Sequence, residues 1–197
     1  MLNIGVLVSG GGTNLQTIID ETKLGKIQGT IKVVISNKEK AYGLKRAIDN
    51  NIKAVYETDE DNIIEILKEN NIDVVVLAGY LKIISPKFVN EFKNKIINIH
   101  PSLIPSFCGE GYYGQKVHQG VLDYGAKITG ATVHFVDEGA DTGPIIMQEC
   151  VYVDNNDDVE SLSKKVLEVE HRILKKSIKL FCENKLSILG RRVFINE

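Results

Sequence analysis

Over its first hundred residues the chain repeats one unit: a short, nearly unbroken run of Val, Ile and Leu, then a segment with helical spacing. The runs are "NIGVLV" (3–8), "IKVVIS" (31–36), "IKAVYE" (52–57), "IDVVVLAG" (72–79) and "KIINI" (95–99). Strands that are apolar on both sides suit a parallel sheet with helices on both faces. The spacing predicts helices over 13–24, where Thr13 and Asn14 offer N-caps, and over 40–50, where Ala41, Leu44, Ala47 and Ile48 share a face. A third is predicted over 59–70, whose opening acids Asp59, Glu60 and Asp61 complement a helix N-terminus. Such alternation leads to right-handed βαβ units and an open α/β sheet.

The second half departs from this pattern. Residues 115–125 read as a helix ended by Gly125. "ITGATVHFV" (128–136) alternates with period two, and "PIIMQECVYV" (144–153) follows a Gly-containing connection, so the two read as an antiparallel hairpin. A mostly parallel, twisted sheet with an antiparallel hairpin in its C-terminal half is therefore expected. Residues 157–183 form a long helix with Val159, Leu162, Val166, Val169, Ile173 and Leu180 near one face. With no internal sequence repeat and no interdomain linker, the 197 residues are expected to form a single domain, split into a 1–100 half and a 101–197 half.

Charge and composition narrow the function classes. A net charge of −2 gives no electrostatic reason to expect a nucleic acid or an anionic membrane as partner. No apolar run approaches the roughly 20 residues of a membrane span, and the N-terminal run reads as a strand, not a signal peptide. Cys108, Cys150 and Cys182 are odd in number and widely spaced, which suggests reduced thiols in a cytoplasmic protein. Four histidines without ligand spacing make no metal site.

The first strand runs directly into "SGGGTNLQ" (9–16). Such a turn is either a tight connection or an anion cradle, since glycines admit close approach and a helix start presents free N–H groups. Leu15 stands where a dinucleotide fingerprint needs its third glycine, and Ser36-Asn37 replaces the acid expected after the second strand. A small phosphorylated metabolite fits better than NAD or ATP. Residues 1–100 thus read as the phosphate-binding half.

Ligands of open α/β sheets gather at the carboxyl ends of the strands. There Asn98 and His100, two apart, share one side of the fifth strand's end, and Pro101 and Pro105 stiffen the exit. Asp141, in the acidic loop "DEGADTGPI" (137–145), can fold back toward them. An amide, an imidazole and a carboxylate suffice for acyl transfer without a covalent intermediate; a capped strand end is the bland alternative. His134 either borders this site or is a satisfied structural histidine, and His118 and His171 read as surface or packing residues.

"VLVSGGGTNLQTIID", "VVVLAGYLKIISP", "NIHPSLIPSF" and "TGATVHFVDEGADTGPII", in this order and with "VEHRIL" in the last helix, resemble the phosphoribosylglycinamide formyltransferase family from end to end. The resemblance implies a Rossmann-like formyltransferase fold and transfer of a formyl group from the co-substrate 10-formyltetrahydrofolate to the amine of 5-phosphoribosylglycinamide, without metal. It implies that Asn98, His100 and Asp141 are catalytic, with Asp141 keeping the imidazole charged. Gly11, Gly12, Thr13 and Asn14 would hold the phosphoribosyl substrate, and Glu170 its ribose. Leu81, Lys82, Ile83 and Ile84 would line the pterin pocket, with Asp137, Glu138, Gly139 and Ala140 closing over it. Residues 101–197 are then the folate-site half. Lys82 replaces a common Arg, Leu167 a polar residue, and 56–62 lack an Arg; the long loop "SFCGEGYYGQKVHQG" reads as a lid. Formyltetrahydrofolate deformylase and methionyl-tRNA formyltransferase share this chemistry but add an N-terminal regulatory or a basic C-terminal domain, so a free-standing transferase, monomer or homodimer, is expected. A non-catalytic phosphometabolite-binding module is the rival from another class.

Overall fold

The computed structural model describes residues 1–196. One nine-stranded sheet organises them. Its strands are β1 (Leu2–Val8), β2 (Gly29–Ser36), β3 (Lys53–Tyr56), β4 (Val74–Leu77), β5 (Ile96–His100), β6 (Ile128–Phe135), β7 (Ile145–Tyr152), β8 (Leu186–Leu189) and β9 (Arg192–Ile195). They lie in the order β3-β2-β1-β4-β5-β6-β7-β9-β8. The pairs from β3 through β5 are parallel, and β6 runs antiparallel to both β5 and β7. The expected mixed α/β sheet is therefore present. The order reverses between β1 and β4, which opens a crevice at the carboxyl ends of those strands.

The period-two pattern of the strands divides the core between two faces. Ile4, Val6 and Val8 of β1, with Val74 and Val76 of β4, pack beneath α1 (Thr13–Lys23), α2 (Tyr42–Asp49) and α6 (Val159–Cys182). Leu7, Val75, Leu77 and Ile96 face the other way, against Ile63, Ile64 and Leu67 of α3 (Glu60–Glu69) and Phe88 of α4 (Pro86–Glu91). Gly5 is what lets α3 lie this close, because a Cβ there would come within 2.6 Å of Leu67 Cδ2.

Side-chain caps set three of the six helix starts among the described residues. The Asp59 side chain accepts from the N–H groups of Asp61 and Asn62, and Asp158 with Ser161 forms a reciprocal capping box on α6. The expectation for α1 is corrected. Its N-cap is Gly12, in the left-handed region, and no side chain caps it; Thr13 and Asn14 already lie inside the first turn. Their side chains are thereby free for other work. Sequence reading also missed α4, a six-residue helix announced only by Ser85 as cap and Pro86 at its start, and the β8–β9 hairpin, which turns at Gly190 (φ 61°).

Candidate active site

The glycine turn is shaped by how closely α2 approaches it. Gly12 has φ 69°, and a Cβ on it would sit 2.7 Å from Gly43 Cα. Gly43 donates its N–H to the Gly10 carbonyl at 3.0 Å, and Arg46 Nε donates to the Gly11 carbonyl at 2.8 Å. Gly10 and Gly11 instead face open space. Gly12→Ala is therefore expected to lower unfolding free energy by about 2 kcal/mol or more, whereas Gly11→Ala leaves the denaturation midpoint nearly unchanged. Paired urea titrations of the two variants test this.

Asn14 turns inward from α1. Its Nδ2 donates to Glu170 Oε2 on α6 at 2.7 Å, while its Oδ1 is buried without a protein partner. Burial pushes the Glu170 carboxyl up to about 7, with Asn14 pulling the other way. A raised carboxyl favours folding while neutral, so its stabilising contribution is complete below the ordinary value and is lost as pH rises through about 7. Denaturation midpoints of the parent chain should thus fall, relative to Glu170→Gln, between about pH 5 and about pH 8. Parallel curves would refute the assigned shift.

Ser9, at the end of β1, couples the turn to the segment after β4. Its Oγ donates to Asn37 Oδ1 (2.7 Å) and accepts from the Leu81 N–H (2.9 Å). Leu81 and Ile83 are left 48% and 70% exposed, apolar surface that a flat ligand could cover. Lys82 is held against the β3–α3 connection by donation to the Thr58 carbonyl at 2.9 Å. In the opposite loop, Asp137 accepts from the Gly139 N–H and the Thr142 hydroxyl, fixing the turn that carries Glu138, Gly139 and Ala140.

The strand end and the acidic loop meet. Asp141, in the left-handed region at φ 58°, which Asp tolerates, accepts from the Gly109 N–H at 3.0 Å. Its Oδ2 lies 3.4 Å from His100 Nδ1, and its Oδ1 lies 3.5 Å from Asn98 Nδ2 and 3.6 Å from His134 Nε2. Burial opposes the charged carboxylate, but the His134 and His100 rings and the Gly109 N–H outweigh it and hold Asp141 below the usual range.

His100 is buried, and both of its ring nitrogens face acceptors. Nε2 lies 3.0 Å from the Phe107 carbonyl and Nδ1 faces Asp141. Those acceptors raise its pKa, yet burial is larger and His134 adds to it, so the net position is below the ordinary imidazole value. This direction runs against the expectation of a standing imidazolium. Burial thus favours the neutral ring at rest, inside a setting that offers both nitrogens an acceptor once it is protonated. Phe107, itself at φ 49°, reaches His100 from the long loop, where its ring packs edge-on with Tyr112 at 6.0 Å.

Two further histidines enter here. His134 is fully buried; its Nδ1 donates to the Phe135 carbonyl at 2.8 Å, which leaves Nε2 to accept from Asn98 Nδ2 at 3.1 Å. It therefore does border the site and fixes the orientation of the Asn98 amide. The signal that could have found it is register: antiparallel pairing sets His134 directly opposite Asn98. Replacing it by Phe keeps the bulk but removes the acceptor, and kcat should fall by about tenfold to a hundredfold with KM little changed. Steady-state kinetics check this. His118, read as surface or packing, is buried on α5 (Gln115–Tyr124), where burial lowers its pKa to about 4. Among the described residues no group of three or more His, Cys, Asp or Glu could hold a metal ion.

Known proteins share the sequence pattern and the fold of this chain. The sequence model of the formyl transferase family matches residues 2–178. A phosphoribosylglycinamide formyltransferase from Haemophilus influenzae is 40% identical over 206 residues, covering 100% of this chain and 94% of the relative. A chloroplastic phosphoribosylglycinamide formyltransferase from Vigna unguiculata is 39% identical over 192 residues, covering 93% of this chain; the chain spans only 62% of that relative's length. The crystal structure of glycinamide ribonucleotide transformylase 1 from Symbiobacterium toebii superposes with a TM-score of 0.94 at 42% identity, covering 100% of this chain and 95% of the other. The chain belongs to the formyl transferase family, among the phosphoribosylglycinamide formyltransferases.

Proposed function

We propose that this protein transfers the formyl group of 10-formyltetrahydrofolate to the amine of 5-phosphoribosylglycinamide, a step of purine biosynthesis. The observation that carries the reading is the convergence of Asn98, His100 and Asp141 at the end of β5, on the same rim of the sheet as the glycine turn that follows β1. In this reading the turn from Gly11 to Asn14 takes the phosphate. The buried, unpartnered Asn14 Oδ1 and the Glu170 carboxyl take ribose hydroxyls. The exposed apolar segment 81–84 and the 137–140 loop enclose the pterin.

The amine attacks the formyl carbon as a neutral nucleophile, and negative charge develops on the formyl oxygen. The Asn98 amide spends one N–H on His134 and, when substrate binds, turns the other from its long contact with Asp141 to that oxygen. His100 begins neutral and takes up the proton that the attacking nitrogen must lose. Once protonated, its ring satisfies both the Phe107 carbonyl and Asp141, so the developing imidazolium is stabilised where the resting one was not. The same proton then goes to N10 of the departing folate. Only the residues of this chain and the two substrates take part, and a cytoplasmic setting goes with this reading.

The test is an absorbance assay of deformylated folate release, with and without phosphoribosylglycinamide. Release that depends on the glycinamide supports the transferase. Equal release without it would make water the acceptor and the chain a deformylase. A folded protein that releases nothing in either case would be a binding module.

A further inference from the structure

A sheet this wide has edges, and one of them is poorly guarded. β9 pairs with β7 only through Ile145 and Arg192, so from Met147 to Tyr152 the outer side of β7 meets no other strand among the described residues. Val153 donates its N–H to the Lys127 carbonyl at 3.0 Å. Antiparallel ladders alternate, so Val151, Glu149 and Met147 turn their backbone groups toward β6, while Gln148, Cys150 and Tyr152 turn theirs outward. Those three residues are also exposed.

Natural edge strands are guarded by brevity, charge, proline or a bulge. The other two follow the rule: β3 and β8 have four residues each, β3 opening on exposed Lys53 and β8 preceded by Lys185. β7 carries no such guard across 147–152. Its outward residues are uncharged, and Glu149 is engaged by Arg172 of α6 at 3.1 Å. The bulge in its ladder falls before Met147.

We propose that the β7 edge docks a second copy of this chain, the two β7 strands pairing antiparallel about a two-fold axis at Cys150. The outward groups belong to three alternate residues centred on Cys150, so this register engages every donor and acceptor of both strands, Cys150 against its twin and Gln148 against Tyr152 of the second copy. A shift either way leaves some of them unpaired. Glu149 then stands opposite Val151 of the second copy, and no like charges meet. Tyr152 and its cross-strand neighbour Ile128, 71% and 49% exposed, gain cover. An isologous contact of this kind closes at two chains, because it consumes the edge that made it. The inference does not rest on the activity proposed above.

Cys150 supplies the test. In a hydrogen-bonded antiparallel pair the two Cα atoms lie about 5.5 Å apart, within the range a disulfide spans. Copper–phenanthroline oxidation of the full-length chain at micromolar concentration should give a covalent dimer. Two thiols lose two protons, and two Cu(II) ions accept the two electrons. The crosslink should vanish in Cys150→Ser and persist in Cys108→Ser and Cys182→Ser. In sedimentation equilibrium the unoxidised chain should be dimeric, and Cys150→Lys, which sets like charges on the axis, should weaken the dimer by at least about tenfold. A chain that stays monomeric and forms no Cys150 crosslink overturns the proposal. So does a dimer that survives Cys150→Lys and never crosslinks at Cys150.

Discussion

Replacing His100 by Ala is expected to lower kcat by about 10²- to 10⁴-fold, the range over which a positioned acid–base group acts. The imidazole sits at the end of β5, buried, between the Phe107 carbonyl and the Asp141 carboxylate. No other group at the end of β5 is placed to carry the proton in its stead. Asp141 is held ionised, and His134 is tied to the Phe135 carbonyl and the Asn98 amide. KM for both substrates should move little, because the turn at Gly12 and the segment at 81–84 lie on other elements. The parent enzyme should lose activity as pH falls through a value below the ordinary imidazole range, since the ring must begin neutral. In His100→Ala that acid limb should disappear. A variant that keeps the limb, or turns over within tenfold of the parent, would remove His100 from the chemistry.

The architecture was legible because its strands are nearly pure Val, Ile and Leu, and because helical spacing survives between them. The glycine turn and the Asn98–His100 step could be placed on one rim from strand order alone. What could not be read is whatever depends on non-local pairing. His134 faces Asn98 only because β6 runs antiparallel to β5 in a particular register. Nor is the charge of His100 written in its neighbours. A carboxylate and a carbonyl beside an imidazole suggest a cation, and burial, which no local motif encodes, reverses the balance. Thr13 and Asn14 resemble caps by type, but the left-handed Gly12 takes that position and Asn14 is spent on Glu170. Short elements were lost for another reason: six residues of α4 and four each of β8 and β9 are too few to show a period.

The sharper test of the site is Asp141→Asn. Asparagine tolerates the left-handed backbone at φ 58°, so the loop is kept and only the charge goes. Three consequences follow from that one change. The carboxylate raises the His100 pKa against burial, so without it the ring falls further below its already lowered value. The imidazolium that forms during transfer loses its counter-charge, and the Asn98 N–H at 3.5 Å loses an anion. Together these should cost about 10³-fold in kcat, with the acid limb of the pH profile displaced to lower pH rather than abolished. Loss of rate with an undisplaced limb would mean that Asp141 acts only by holding the Gly109 loop in place. A rate close to the parent's would mean that the two histidines suffice, and that the loop carrying Asp141 serves binding alone. The displacement of the limb separates an electrostatic role from a positional one, which a rate alone cannot do.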